Sequence, residues 1–221
     1  MDSNTENNPW RSARLVYTAI DTDDEPFLTV MRADASSFVN MNPAPPLPGS
    51  KKDITSEIEY FRDSCLLAVK ICLQPAAPSP DEASPNPIPI GKITLTGLSP
   101  RTSHHRNSSI GISILNTYQG QGYGSEAIRW VLRWAFMYGN LHRIEIGAFA
   151  WNEGAWKLYE RLGFVKEGVK REHFFSAGRY WDAVDLGMLE GEWRRLYGSE
   201  VEKVGGSGWQ NGESSSSNSK A

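Results

Sequence analysis

The residues with the clearest capacity for chemistry lie in a short glycine-rich segment past the middle of the 221-residue chain. This segment, 119–124 (QGQGYG), follows an apolar strand pattern and directly precedes a helical pattern. Glycine lets backbone N–H groups approach a ligand without an intervening Cβ, and a helix start adds unpaired N–H groups and the positive end of the helix dipole. The segment therefore predicts a phosphate or diphosphate site, although an ordinary tight turn explains the same glycines equally well.

The spacing of the glycines narrows the kind of phosphate ligand. The G-x-x-x-x-G-K-[ST] motif of P-loop nucleotidases is absent from the chain. A dinucleotide fingerprint, G-x-G-x-x-G, fits Gly120 and Gly122 but has Ser125 at its third glycine position. Glu145, about twenty residues further on, could supply the acid that binds a ribose. A dinucleotide site thus stays open as an alternative to another diphosphate-containing ligand.

Composition excludes several classes of protein. The formal net charge is −3, with no basic stripe, which argues against a nucleic-acid partner. No run of 18 apolar residues suggests a membrane span, and the first ten residues lack the pattern of a secretory signal. The two cysteines are too few for a zinc site of the usual kind. We therefore expect a soluble, cytoplasmic protein that requires no metal.

Strand and helix patterns surround the glycine-rich segment and must position it. Apolar residues in alternating or continuous runs predict strands, and apolar residues at three- and four-residue spacing predict helices. The predicted strands are 14–20, 64–73, 89–98, 109–115, 143–150, 164–168, 171–175 and 180–189, and the predicted helices are 23–34, 53–62, 124–138 and 153–162. This succession predicts an α/β (α+β) fold with a mixed sheet.

The remaining segments read as tails and insertions. Residues 1–11 are expected to form a flexible N-terminus, and 12–195 a single domain. Residues 74–89 contain six prolines, which cannot lie inside a sheet or helix, so this insertion is expected to connect two strands of a hairpin. Residues 204–221, rich in serine and glycine, are expected to be a disordered tail.

Two stretches of the sequence, taken in order, resemble the signature of one enzyme family. Residues 119–124 match the R/Q-x-x-G-x-G/A motif of the GCN5-related N-acetyltransferases (GNAT), and residues 152–164 resemble that family's N-x-x-A-x-x-x-Y-E-x-x-G-F stretch. Residues 178–182 and 192–193 further resemble the RimJ/RimL-like branch, of ribosomal-protein and spermidine type. The likeness covers about 12–193, and the ordered set of motifs is more specific than any one of them.

The resemblance implies a mixed, splayed central β-sheet in which acetyl-CoA lies in the gap between two parallel strands, here 109–115 and 143–150. Backbone N–H groups of the glycine-rich segment would hold the diphosphate, and backbone groups near the end of the first strand would pair with the pantetheine arm and polarise the thioester. Asn152 is equally explained as a helix N-cap. The cofactor-binding residues implied in this way are Ile114, Leu115, Gln119, Gly120, Gln121, Gly122, Tyr123, Gly124, Ser125, Asn152 and Ala155.

Tyr159 is the catalytic residue that the resemblance implies. It lies seven residues after Asn152, so two helical turns bring both side chains to nearly the same face. Its phenol, with an ordinary pKa of about 10, is expected to protonate the leaving CoA thiolate; a packed core aromatic is the structural alternative. The candidates for the general base are Glu145, Glu172, His173 and Asp182. Each of these is also explained as a surface or structural group, and a water-relayed base is a further alternative.

The sequence therefore predicts an acetyl-CoA-dependent N-acetyltransferase in which an amine attacks the thioester directly. The expected acceptor is a primary amine of a small molecule, such as a polyamine, or of a protein N-terminus, and the enzyme is expected to be a monomer or homodimer. Two alternatives stay open. One is a non-catalytic acyl-CoA-binding module that keeps the same phosphate cradle, and the other is a dinucleotide-dependent oxidoreductase.

Overall fold

The computed structural model describes residues 8–74 and 86–205. Within these residues, seven strands form one sheet: β1 (Leu15–Ala19), β2 (Cys65–Leu73), β3 (Ile88–Thr96), β4 (Asn107–Ile114), β5 (Arg143–Phe149), β6 (Val165–Ser176) and β7 (Arg179–Leu189). The α-helices are α1 (Glu25–Ala33), α2 (Ala35–Met41), α3 (Lys51–Ser64), α4 (Tyr123–Met137), α5 (Glu153–Arg161) and α6 (Glu190–Gly205). The strand order is β1-β2-β3-β4-β5-β7-β6, and only the β4–β5 pair is parallel. The predicted mixed, splayed α/β fold is confirmed.

Each face of the sheet packs against helices. Helix α4 buries the predicted apolar stripe, which includes Ile128 and Leu132, in the main core. Helices α1 and α3 form a second, smaller cluster, which includes Phe61. Successive residues of a strand point to opposite faces, and β2 follows this rule, because Val69 belongs to the main core and Ala68 contacts the second cluster. The sheet therefore separates the α4 side from the α1–α3 side.

Two helices and one strand differ from the sequence prediction. The strands predicted at 164–168 and 171–175 form the single strand β6, whose pairing with β7 shifts register twice. Helices α2 and α6 were not predicted. The first spans only seven residues, too few for a clear helical period. The second buries Trp193 against Phe136 of α4, with ring centroids 5.4 Å apart, so its stability depends on a distant partner.

The predicted hairpin around the proline-rich insertion is confirmed at its base, where β2 and β3 pair in antiparallel fashion from Leu73 and Ile88 onward. Most of the insertion, residues 75–85, lies outside the described residues, as do 1–7 of the predicted flexible N-terminus and 206–221 of the predicted tail. Residues just before β1 contact the domain, since the Trp130 indole N–H donates to the Pro9 carbonyl at 2.8 Å.

None of the helices in the described ranges combines the length and apolar character that a bilayer span requires. Likewise, within 8–74 and 86–205, no group of three or more His, Cys, Asp or Glu side chains is arranged to hold a metal ion.

Candidate active site

The two central parallel strands separate soon after they begin. Pairing between β4 and β5 runs only from Asn107 opposite Arg143 to Ser109 opposite Glu145. Beyond this point β4 stays paired with β3 as far as Ile114, whereas β5 stays paired with β7. The two strands therefore diverge and leave a gap at their carboxyl ends.

The backbone of β4 presents polar groups to this gap. In an antiparallel pair, the backbone groups of alternate residues point toward opposite neighbours. The Leu115 N–H donates to the Ile90 carbonyl of β3 at 2.9 Å, so the groups of Ile112 and Ile114 point the other way, toward the gap. Leu115, which the resemblance implies as a cofactor-binding residue, therefore keeps its partner in the sheet. Its side chain packs against the α1–α3 cluster, whereas Ile112 and Ile114 line the cavity described next.

A cavity of about 680 Å³ connects the glycine-rich segment with the gap. Ten of the twelve predicted site residues line it: Ile114, Gln119, Gly120, Gly122, Tyr123, Gly124, Ser125, Asn152, Ala155 and Tyr159. Leu115 and Gln121 do not. The backbone carbonyl of Gln121 instead accepts a hydrogen bond from Arg14 Nη1 at 3.0 Å, and the side-chain Nε2 of Gln121 donates to the Thr117 carbonyl at 3.1 Å.

The glycine-rich segment forms the bend that its composition predicts. Gly120 and Gly122 adopt φ angles of 73° and 85°, a region that favours glycine. Gly122 is the N-cap of α4 and has no side-chain cap, so the first N–H groups of the helix are available to a ligand. A Cβ placed on Gly120 or on Gly124 would meet no protein atom within 4 Å. The absence of side chains at Gly120 and Gly124 therefore leaves open space in the cavity.

Arg14, a residue that the sequence analysis missed, holds this bend from outside. Its guanidinium contacts the Glu126 carboxylate at 2.8 Å and lies 4.6 Å from the centre of the Tyr123 ring. Glu126 also accepts from the Arg14 N–H and the Ser12 hydroxyl, each at 2.7 Å. The segment preceding β1 thus fixes the first turn of α4. Because this contact joins residues more than 100 positions apart, no local sequence pattern predicts it.

Gln119 acts on the end of β4 through its side chain. Its amide nitrogen Nε2 donates to the Ile114 carbonyl at 2.8 Å and lies 3.1 Å from Ser37 Oγ. The side chain therefore braces the strand end instead of extending freely into the cavity.

Helix α5 carries Asn152 and Tyr159 on the cavity wall, as predicted. The Asn152 side chain accepts from the Ala155 N–H at 3.3 Å, which confirms the N-cap interpretation. Tyr159 is 7% exposed, and burial raises the pKa of its phenol to about 12. Among the described residues, no hydrogen-bond partner is found for the Tyr159 hydroxyl. A neutral donor thus borders the gap.

A second cavity, of about 260 Å³, opens on the other side of the gap. The two cavities share the wall residues Asn40, Met41, Ile112, Asn152, Ala155 and Tyr159. On the far side the wall includes His173 and an ion pair between Lys170 Nζ and Asp185 Oδ2 at 2.7 Å. Tyr159 therefore stands where a ligand from one cavity would meet a ligand from the other.

Of the four candidate bases, His173 alone lines the second cavity. Glu145 contacts the Arg143 guanidinium at 3.0 Å, and Asp182 accepts from the Glu172 N–H at 2.9 Å. The structural alternative thus accounts for Glu145 and Asp182.

The structure adds wall residues that the motifs did not indicate. Arg129 of α4 and Arg161 of α5 place two cations on the first cavity, and Ser37, Asn40 and Met41 of α2 line its inner end. Arg129 could have been found, because it lies one helical turn after Ser125 on the same face. The residues of α2 carry no such signal.

Comparison with known proteins supports this architecture. A family model described as an acetyltransferase (GNAT) domain matches residues 14–165. The spermidine N(1)-acetyltransferase of Vibrio cholerae is 36% identical over 89 residues, which are 40% of this chain and 51% of that protein. The Escherichia coli K12 enzyme of the same name is 30% identical over 86 residues, 39% of this chain and 46% of that protein. The chain thus spans about half the length of these curated relatives.

Solved structures share the fold over a longer range. The spermidine N-acetyltransferase from Vibrio cholerae, in complex with CoA and spermine, has a TM-score of 0.66 at 24% sequence identity, and the match covers 82% of this chain and 99% of that one. A GNAT-family acetyltransferase from Bacillus anthracis has a TM-score of 0.65 at 19% identity, covering 82% of this chain and 98% of that one.

Proposed function

Because this chain belongs to the GNAT family of acetyltransferases, we propose that it transfers the acetyl group of acetyl-CoA to a primary amine by direct attack. The observation that carries the proposal is the pair of cavities that meet at the gap between β4 and β5, with Tyr159 on the wall of both. Direct transfer requires two substrates to approach one carbon from different sides, and this arrangement offers two such approaches.

The first cavity suits the coenzyme. Free N–H groups at the start of α4 bind the diphosphate, and the missing side chains at Gly120 and Gly124 leave room for its oxygens. Arg129 and Arg161 add positive charge on the same wall. The backbone groups of Ile112 and the N–H of Ile114 pair with the pantetheine arm in place of a neighbouring strand, whereas the Ile114 carbonyl already accepts from Gln119 Nε2.

The chemistry is a substitution at the thioester carbonyl. The amine nitrogen bonds to the carbonyl carbon, the carbon–sulfur bond breaks, and the sulfur leaves with the electron pair. Backbone N–H groups at the gap stabilise the oxyanion that forms between these steps. Before the attack, the cationic amine loses a proton to His173, directly or through water, because His173 is the candidate base that lines the second cavity. After the attack, the nitrogen loses a second proton, which is available to the leaving sulfur.

Tyr159 acts on the leaving sulfur as a hydrogen-bond donor. Its pKa of about 12 lies above the ordinary value of about 8.5 for a thiol, so complete proton transfer from the phenol to the thiolate is uphill. A hydrogen bond from the phenol still stabilises the developing negative charge, and solvent or the released proton completes the protonation. The sequence predicts that Tyr159 protonates the thiolate; we propose instead that Tyr159 only donates a hydrogen bond to it.

The acceptor enters through the second cavity, where Asp185 offers a carboxylate to a cationic amine. The relatives named for spermidine acetylation and the related structure solved with CoA and spermine support a polyamine. The resemblance to the RimJ/RimL-like branch, which is of ribosomal-protein as well as spermidine type, keeps a protein N-terminus as the second candidate. A polyamine and a protein N-terminus are both primary amines, and they differ in the chain that is attached to the amine nitrogen.

Thermal denaturation with acetyl-CoA and with NADH, followed by an assay for free thiol, tests the proposal. Acetyl-CoA at a hundredfold excess over its Kd should stabilise the protein by about 2.7 kcal/mol, and NADH should not. Thiol release should then depend on an added amine, with spermidine and a peptide with a free N-terminus as the two arms. Stabilisation by NADH alone would support an oxidoreductase, and coenzyme binding without thiol release for any amine would support a non-catalytic module.

A further inference from the structure

Helix α2 contacts the ends of both strands that border the gap. On one side, Ser37 Oγ lies 2.9 Å from the carbonyl oxygen of Ile114, the last residue of β4. On the other side, Asn40 Oδ1 accepts from the Trp151 indole N–H at 3.1 Å, and the Asn40 carbonyl accepts from Asn152 Nδ2 at 3.4 Å. Residues three apart share a helix face, so a single face of α2 reaches both strand ends.

The contact with β4 is buried and has several partners. Ser37 is 3% exposed, and its hydroxyl also lies 2.9 Å from Asp34 Oδ2. Asp34 in turn accepts from the Asn116 N–H at 2.7 Å, just beyond the strand. Gln119 donates to both Ser37 and the Ile114 carbonyl. The beginning of α2 is therefore tied to β4 and to the loop that follows it.

The contact with β5 is transmitted through an aromatic stack. The Trp151 ring stacks on Phe149, the last residue of β5, with centroids 4.3 Å apart and planes 1° from parallel. Because Asn40 fixes the Trp151 indole, the position of α2 and the position of this strand end depend on each other. Asn152, also bonded to α2, caps helix α5, which carries Tyr159.

Backbone hydrogen bonds do not hold the carboxyl ends of β4 and β5 together, since pairing between these strands ends at Ser109 opposite Glu145. We propose that α2 is a clamp that sets the separation of the two strands where the acetyl group is transferred, with Ser37 and Asn40 as positioning residues. The proposal rests on the proposed function for its catalytic consequence, because displacing reacting groups by about 1 Å can cost about a hundredfold in rate.

Four variants test the clamp. Ser37→Ala removes the contact with β4, and Asn40→Leu removes the acceptor for Trp151 at similar volume. Asn40→Asp keeps an acceptor oxygen at that position and should restore the contact. Ser36→Ala is the matched control, because Ser36 is the exposed neighbour on the same helix.

The first measurement is amide hydrogen exchange without coenzyme, in peptides that cover 110–114 and 147–152. We expect exchange at least tenfold faster in Ser37→Ala and Asn40→Leu, and rates within about twofold of the parent in Asn40→Asp and Ser36→Ala. The second is steady-state kinetics well below the melting temperature. We expect kcat to fall at least tenfold in the two disrupting variants. The Kd for CoA should change by less than about threefold, because CoA is held mainly at the glycine bend.

Parental exchange rates and parental kcat in Ser37→Ala and Asn40→Leu would overturn the proposal. A lower melting temperature in these variants would not rescue it, because it would show only that α2 contributes to the stability of the fold. If the parent protein releases no thiol with any amine, the proposed function fails. The exchange rates then decide separately whether α2 holds the strand ends.

Discussion

Replacing Gly124 with leucine separates the stability of the protein from its affinity for the coenzyme, and a side chain this large is needed because the family motif accepts glycine or alanine at this position. Gly124 is the second residue of α4 and lines the first cavity. A Cβ at this position meets no protein atom within 4 Å. The Cβ of the new residue therefore meets no protein atom, and the rest of the leucine side chain projects into the space that we assign to the diphosphate.

The two effects have opposite signs. Leucine has a higher helix propensity than glycine, by less than about 1 kcal/mol, which for a chain of this size raises the melting temperature by up to about 4 °C. In the complex, the leucine side chain displaces a phosphate oxygen from a backbone N–H. A hydrogen bond to a charged group contributes about 1.5–3 kcal/mol, so the Kd for acetyl-CoA should rise by about tenfold to a hundredfold.

Calorimetric titration with acetyl-CoA and thermal denaturation of the free protein measure these effects. Gly191→Leu is the matched control, because Gly191 is the second residue of α6, has open space around its Cβ position and lies on neither cavity. It should show a similar gain in stability with parental affinity. If Gly124→Leu is as stable as expected and binds acetyl-CoA as tightly as the parent, the diphosphate does not lie at this bend.

Three further substitutions test the site. Tyr159→Phe should lower kcat at least tenfold at unchanged Kd for acetyl-CoA; parental turnover would remove Tyr159 from the mechanism. Lys170→Met frees the Asp185 carboxylate in the second cavity, and since an exposed ion pair contributes at most about 1 kcal/mol, KM for spermidine should fall up to about fivefold; an unchanged or higher KM would contradict this. Burial raises the pKa of Glu126, but hydrogen bonds from Arg14 and a serine hydroxyl outweigh it and hold this pKa below 4.5. The stabilisation that ionised Glu126 gives to the fold is therefore complete above the pKa of the unfolded state and is lost as pH falls through the pKa of the folded state. Glu126→Gln should lower the melting temperature at pH 7 and flatten the decline of the melting temperature below about pH 4.5. An unchanged dependence of the melting temperature on acid pH would refute this.

Features that depend on a few neighbouring residues were predictable from the sequence. The apolar stripe of α4, the bend at Gly120 and Gly122, and the N-cap at Asn152 each follow from contacts within one or two turns of the chain. The prediction of two strands in place of β6 was wrong, because the register shifts against β7 that keep the strand continuous are not encoded in its own pattern.

The sequence by itself determined most of the strands, the helices α1, α3 and α4, the glycine bend and the helix that carries Tyr159. The tertiary structure decided which backbone and side-chain groups are left for a ligand. Leu115 keeps its sheet partner because β3 continues beside it, and His173 lines the second cavity because β6 folds back along β7. The physical reason is that a hydrogen-bonding group is free or occupied according to neighbours brought from distant parts of the chain, and the separation of β4 from β5 is itself such a long-range outcome.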